Sequence, residues 1–278
     1  MKDVSTLVPD IKDLILNGKK EIDQDNLNEL LDVVREEVEK LLSPYEGERK
    51  RLRLSAIGRT DRKLWYEIND PIKRKETASL RMRFFYGHLL EAILLYLAKE
   101  SGHDVQDKQR EVELEGVKGH IDAVIDGALI DVKSASDYSF KKFKEKKLLN
   151  SDPFGYIAQI SAYMQSLDLE EGGFLAINKN NGDICLMGMD ELMTINASDR
   201  VKHVKKMVKK DIPERCFEDI PDGQSGNRII GKDCVFCDYR ERCWSDANNG
   251  EGLRTFKYAN GYRHFTHIVK QPNVSEVL

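Results

Sequence analysis

Long apolar runs are missing from this chain. The best candidate, Leu89–Leu97, is interrupted by Glu91, so no stretch has the length and apolarity that a bilayer requires. The first residues, Met1-Lys2-Asp3, lack the basic-then-apolar layout of a secretory signal. Positive charge is not in excess either. A formal net charge of −4 excludes a bulk polycation and leaves any nucleic-acid contact to local basic patches. Cysteines number only five, three of them packed close together, which argues against a disulfide framework. That usage suits a reducing, cytoplasmic setting and thiol ligation of a metal. There is no internal repeat and no low-complexity tract. What remains is a soluble globular composition, 40% hydrophobic and 33% charged, with 278 residues for one large domain or a domain with appendages.

Residues 1 to about 45 read as polar helix, with Leu27, Leu30, Leu31, Val34, Val38, Leu41 and Leu42 at three-four spacing before Ser43-Pro44. A second helix is expected over Thr77 to Lys99, with an apolar stripe of Phe84, Phe85, Leu89, Ala92, Ile93, Tyr96 and Leu97, and Gly102 after its end. Strands follow at Gln109–Leu114, Gly173–Asn178 and Ile184–Met189, the last two flanking Asn180-Asn181-Gly182. Helices are expected near Gly155–Leu167 and Ala197–Lys210, then a loop-rich region containing Pro213, Pro221, Gly223, Gly226 and Gly231. This order gives an α/β fold with a mixed central sheet flanked by helices. The expected division is an N-terminal helical cap at residues 1–50, a core at 51–212, and a cysteine-rich C-terminal region at 213–278.

The densest signal lies between Gly119 and Lys133. Asp126-Gly127 is a strong two-residue hairpin turn, and the flanking residues mirror each other around it. In that register Ile125 faces Ala128, Val124 faces Leu129, Ala123 faces Ile130 and Asp122 faces Asp131. One face of the ribbon is then Ile121, Ala123, Ile125, Ala128, Ile130 and Val132; the other carries His120, Asp122, Val124, Leu129, Asp131 and Lys133. Two aspartates directly opposed repel unless something neutralises them, and a divalent cation takes carboxylate oxygens readily. Without a cation the pair would simply be a solvated acidic face. Lys133, on the same face, favours phosphodiester hydrolysis, in which a metal activates water and the ammonium offsets charge on the phosphorane.

Three further patterns surround the ribbon. His88 and Glu91 share one face of the preceding helix, and Gln159 and Tyr163 share one face of the following helix; either pair alone would be read as structural. Lys141, Lys142, Lys144, Lys146 and Lys147 form a basic run leaving the ribbon, and Lys202, Lys205, Lys206, Lys209 and Lys210 form a second. Such runs are usually solvated faces, but the first leaves directly from the acid pair and could track phosphates.

Taken together, Gly119-His120-Ile121-Asp122, Asp131-Val132-Lys133, the helix-borne His88 and Glu91, and Gln159-Ile160-Ser161-Ala162-Tyr163 resemble the PD-(D/E)XK nuclease superfamily. The likeness is to its RecB-type and phage-exonuclease branch, which is related to the CRISPR adaptation nucleases with a cysteine cluster. It covers roughly residues 55 to 245. The resemblance implies a PD-(D/E)XK nuclease core and a Mg2+- or Mn2+-dependent DNA exonuclease of recombination or repair, in a bacterial cell or phage-infected host. It implies that Asp122, Asp131 and the Val132 carbonyl hold the metal, with His88, or Glu91 through water, completing the shell. Lys133 would position water and offset charge, Gln159 would orient Lys133 or substrate, and Tyr163 would act near the scissile end. Arg59, Arg62 and Lys63, with Lys141, Lys142 and Lys144, are candidates for gripping DNA phosphates, as duplex ends or single strand. By resemblance alone, a single-strand annealing protein is a partner and a homo-oligomer an expected state.

Cys234-Val235-Phe236-Cys237 and Cys243 give C-x2-C-x5-C, followed by Trp244, a spacing that favours metal ligation. The resemblance suggests three ligands of a [4Fe–4S] cluster. Relatives that carry one place a cysteine near Thr60, followed by proline; here Thr60-Asp61 stand instead. Cys216 could supply a fourth thiol for a cluster or for tetrahedral Zn2+, and His264 or His267 could complete a Cys3His zinc site. Cys185, within an expected strand, reads as a core residue. The alternatives are a CRISPR-adaptation-type nuclease, a restriction-type endonuclease, and a non-catalytic cysteine-cluster DNA-binding module.

Overall fold

The computed structural model describes residues 2–44, 51–72, 77–189 and 193–277; the cap-to-core boundary expected at residue 50 lies outside them. The chain runs through helices α1 (Leu7–Asn17), α2 (Gln24–Leu42), α3 (Asp61–Asn69) and α4 (Ala78–Glu100). It continues through strands β1 (Val105–Gln106), β2 (Glu111–Leu114), β3 (Val117–His120), β4 (Ala123–Ile125) and β5 (Ala128–Ala135). Next come α5 (Asp137–Lys144), α6 (Tyr156–Leu167), β6 (Gly172–Asn178), β7 (Ile184–Met189) and α7 (Ala197–Met207). Strands β8 (Asp219–Pro221) and β9 (Arg228–Ile230), short helices α8 (Lys232–Val235) and α9 (Arg240–Cys243), and strands β10 (Arg254–Tyr258), β11 (Gly261–His267) and β12 (Glu276–Val277) complete it.

Two compact units emerge: Met1–Gly58 with Arg74–Val204, and Arg59–Lys73 with Lys205–Leu278. The first is built on a five-stranded sheet in the order β1-β4-β5-β6-β7, in which only β5 and β6 are parallel. One face packs Ala123, Ile125, Ala128, Ile130 and Val132 against Leu94, Leu95 and Ala98 of α4 and Leu7 and Ile11 of α1. The other packs Leu129, Phe174 and Met187 against Ile160, Tyr163 and Met164 of α6. Burial on both faces is what a mixed sheet with flanking helices requires. The residues expected as a separate cap are therefore partly core, since α1 buries Leu7 and Ile11 within it.

Local chemistry fixes the key elements. The Thr77 hydroxyl accepts from Leu80 N at 3.2 Å and caps α4, which runs as expected. The buried apolar residues of α4 are Leu94, Leu95 and Ala98, however, while Phe84 and Ile93 of the expected stripe are exposed. At the hairpin, Asp126 (φ 51°) and Gly127 (φ 89°) both take the left-handed conformation of a type I′ turn. Gly155 and Gly58 meet backbone to backbone: a Cβ on Gly58 would lie 2.3 Å from Gly155 O. Only glycines allow that approach, and it seats the N-terminus of α6.

A buried clasp ties the turn to α1. His103 Nδ1 meets Asp126 Oδ2 at 2.5 Å, and its Nε2 meets Asp10 Oδ2 at 3.2 Å. The ring therefore bridges a carboxylate of α1 and a carboxylate of the hairpin turn.

The second unit is not the loop-rich region expected from its glycines and prolines. It forms a five-stranded sheet, β12-β10-β11-β9-β8, around Phe256 and Phe265, whose rings meet edge to face at 5.2 Å. Within it Tyr66 of α3 stacks on Tyr239 with ring centroids 5.1 Å apart.

Candidate active site

The hairpin register holds for its three inner pairs, Ile125–Ala128, Val124–Leu129 and Ala123–Ile130, and stops there. Asp122 lies in the gap between β3 and β4, because β3 leaves to pair with β2 in a separate two-stranded sheet. Ile121 is displaced with it. It packs with Leu54, Val112, Val117 and Leu129, not on the face of Ala123 where strict alternation put it. Asp122 consequently does not sit in a ladder pair with Asp131; its Oδ2 accepts from the backbone N of Val132 at 2.7 Å.

Asp131 is only 1% exposed. Its Oδ1 accepts from Gln159 Nε2 at 3.1 Å, and its buried Oδ2 has the Lys133 ammonium against it and no other partner. The acidic face of the ribbon is thus covered by α6 and is not solvated. Burial would by itself pull the Lys133 ammonium down, but the Asp131 and Asp122 charges outweigh it and hold it above the ordinary lysine range. Asp122 is pushed well above the usual carboxylate range, first by burial, then by the charges of Asp131 and Glu91. Glu91 is raised by burial, with Asp131 adding to the shift. Three carboxylates therefore share one lysine in a partly dry pocket, a charge deficit that a cation would remove.

Gln159 and Tyr163 arrive together, their side chains 3.5 Å apart. Burial pushes the Tyr163 hydroxyl up to about 12, so it is a hydrogen-bonding group at neutral pH. Gly119 is the reason the ring fits: a Cβ there would lie 2.7 Å from Tyr163 Cε1 and 2.9 Å from Leu54 Cβ. Gly119→Ala is expected to lower stability by about 1–3 kcal/mol through overpacking, read as a drop in Tm. An unchanged Tm would show that Tyr163 can move aside.

Gln109 is a residue the sequence did not expose. With φ at 53°, it aims Nε2 at Glu91 Oε1 (2.6 Å), while its backbone N donates to Asp122 O at 3.2 Å. It joins the helix-borne acid to the chain that carries Asp122. Its only sequence trace was its place at the start of the expected strand Gln109–Leu114.

Other expected residues have different partners. His88 Nδ1 meets Glu37 Oε2 of α2 at 2.6 Å, and the imidazole is half exposed. Among the described residues no three His, Cys, Asp or Glu side chains close around a metal-sized point. At the acid pair the reason is Lys133, which covers the free oxygen of Asp131. That oxygen, buried and without a hydrogen bond, together with the crowded carboxyl of Asp122, suits a hard divalent cation. The Lys141–Lys147 run lies on and beyond α5, where Phe140 and Phe143 are buried. Lys144 pairs with Asp183 at 2.8 Å and Lys141 with Glu145 at 3.6 Å.

In the second unit, Arg59 Nη1 lies 2.8 Å from both carboxylate oxygens of Glu67, and Arg62 Nη1 donates to Pro213 O at 2.5 Å. Internal partners account for both guanidiniums without a phosphate; Lys63 is half-buried. Cys234, Cys237 and Cys243 are neighbours: burial pushes the Cys234 thiol up to about 11, with the other two adding. Cys216 is exposed, and His264 Nδ1 is engaged with Thr255 Oγ1 at 2.8 Å. A cavity of about 920 Å³ in the second unit is lined by residues of β10, β11 and β12. A smaller one, about 190 Å³, opens beside Lys133.

No family profile and no curated protein matches the chain. Solved structures similar to it include the SSO0001 protein, at 17% identity over 74% of this chain and 92% of that one, with a TM-score of 0.42. An alkaline exonuclease (LHK-Exo) from Laribacter hongkongensis is 14% identical over 59% and 90% of the two chains, with a TM-score of 0.40. A phage related exonuclease from Haemophilus somnus 129PT is 14% identical over 57% and 90%, with a TM-score of 0.40. Among the described residues no helix is long and apolar enough to cross a membrane.

Proposed function

We propose that the protein is a metal-dependent DNA exonuclease. The observation that carries this reading is the convergence of Asp122, Asp131, Glu91 and Lys133 in one buried pocket, with Gln159 on Asp131. Asp122, Asp131 and the Val132 carbonyl are the groups that would hold Mg2+ or Mn2+, with Glu91 or His88 beside them. The ion would supply a polarised water and charge neutralisation at the phosphate. Lys133, held as an ammonium, stabilises charge that grows on the phosphoryl oxygens. Gln159 fixes the orientation of Asp131, and Tyr163, protonated, supports the Gln159 side chain.

With Mg2+ or Mn2+, linear duplex DNA is expected to be degraded from its ends, closed circular DNA to stay intact, and EDTA to stop the reaction. Discrete fragments would indicate a restriction-type endonuclease. Absence of cleavage with either ion would leave a cysteine-cluster DNA-binding module and end this reading.

Gln109→Ala is expected to lower the metal-dependent rate about 10–100-fold, the usual cost of losing a group that orients a ligand. Gln109→Glu should be worse, since it adds a fourth carboxylate. A rate unchanged in Gln109→Ala would remove Gln109 from the site.

For the second unit we infer a metal on Cys234, Cys237 and Cys243. Iron at about four per chain with visible absorbance would report a [4Fe–4S] cluster, and zinc at about one per chain a tetrahedral site. Either should be lost in Cys237→Ser. A metal-free, colourless protein purified without oxygen would show that the thiols are structural.

A further inference from the structure

The acid pair explains how a phosphodiester could be cut, but not how a strand is held against it. The 190 Å³ cavity beside Lys133 carries the relevant chemistry. Its lining includes Lys133, Lys142 and Lys179, the hydroxyls of Ser136 and Ser139, and Phe154, with no carboxylate among the residues that form it.

The lysines of this region divide into two groups. Lys144 and Lys141 have carboxylate partners in Asp183 and Glu145. Lys142 reaches the Ser151 carbonyl and hydroxyl, at 3.1 and 3.3 Å, and lies 5.3 Å from the centre of the Tyr138 ring, with no carboxylate against it among the described residues. Lys179 is exposed and meets no carboxylate among the described residues. Lys142 and Lys179, neither with a carboxylate partner among the described residues, both line the cavity, in a protein whose formal net charge is −4.

The aromatic side is arranged as a ledge. The Lys133 ammonium lies 4.9 Å from the centre of the Tyr156 ring. Tyr156 stacks on Phe154 with centroids 5.4 Å apart and planes at 26°, and Phe154 is 58% exposed. A ring left open beside Lys142 and Lys179, two ammonium groups without carboxylate partners among the described residues, suits an anion that also carries a flat face, which is the chemistry of a nucleotide.

We propose that this cavity is a nucleotide subsite for the substrate strand, with a backbone phosphate held by Lys142 and Lys179 and a base stacked on Phe154. The inference rests on the nuclease reading for the identity of the strand, and it assigns the Lys133 side of the pocket as the path the strand takes. Phosphate contacts give salt-dependent affinity with little sequence preference, and stacking on one open ring is equally tolerant of base identity.

The test is binding of a fluorescein-labelled, single-stranded DNA oligonucleotide in EDTA, followed by anisotropy over a salt series. Phe154→Ala is expected to weaken binding on the order of tenfold. Lys142→Ala with Lys179→Ala should weaken it further and flatten the slope of log affinity against log salt by about 0.7, the value for losing one phosphate contact on a single strand. Lys40→Ala with Lys118→Ala removes the same charge from carboxylate-paired lysines and should leave the slope within error. Slopes and affinities equal to wild type in both cavity variants would overturn the subsite, even if the protein degrades linear DNA normally. Weakened binding in those variants would uphold the subsite even if no metal supports cleavage, so the two readings fail separately. An equal loss in the Lys40/Lys118 control would show diffuse attraction and also overturn it.

Discussion

Replacing Lys133 with alanine is expected to cut the rate of metal-dependent DNA degradation by about 10²–10³-fold while DNA binding persists. The same change should have an effect on stability that a purely kinetic role would not produce. In the metal-free protein Lys133 is the countercharge for Asp131, which is 1% exposed and otherwise reached only by Gln159. Removing one partner of a buried pair costs about 3–5 kcal/mol, because the remaining charge is left uncompensated. Tm should therefore fall in EDTA, and Mg2+ or Mn2+ should raise it more in the variant than in wild type, since the cation replaces the missing charge. Full turnover in Lys133→Ala would sink the mechanism. A Tm unaffected by the substitution would show that Asp131 does not depend on Lys133 as its countercharge.

Asp122→Asn should separate stability from activity in the opposite direction. Asparagine keeps the acceptor that Val132 N uses but never carries charge. Burial and the neighbouring Asp131 and Glu91 raise the Asp122 carboxyl, so the folded protein holds this proton more tightly than the unfolded chain does. A raised carboxylate contributes stability that is fully present below its unfolded value, about 3.9, and is lost as pH rises through the folded value. The metal-free wild type loses that contribution as the pH rises through the folded value. Asp122→Asn should then be the more stable protein by about 1–2 kcal/mol, with the gap narrowing as the pH falls toward 4. Metal-dependent cleavage should fall by two or more orders of magnitude. Parallel melts from pH 4 to 8 in EDTA decide it: a variant less stable than wild type at pH 8 would refute the proposed repulsion.

The parts of this structure that could be read in advance are those whose causes are local. The Asp126-Gly127 turn was visible because its left-handed angles favour those residue types, and three strand pairs follow from it. The α6 helix, with Gln159 and Tyr163 on one face, was visible through its period. What failed depended on distant parts of the chain. Asp122 and Ile121 leave the ladder because β3 pairs elsewhere, with β2. The sheet of the second unit was hidden because β8 and β9 have three residues each and β12 two, too short for alternation to register. Helix α5 was hidden in a lysine run whose apolar content is Phe140 and Phe143. Gln109 was invisible because its role comes from a left-handed backbone and from Glu91, eighteen positions away.

The His103 clasp makes the first turns of the protein an indirect support for the acid pair. Asp10 holds one side of the imidazole and Asp126, at the tip of the hairpin, holds the other. The strand that leaves that tip carries Asp131 and Lys133. A change that pulls α1 from its seat would strand a buried carboxylate at the far end of the ribbon that carries Asp131 and Lys133. Asp10 is thus a structural support of the hairpin, apart from any group it would help to orient in the acid pair's own strand.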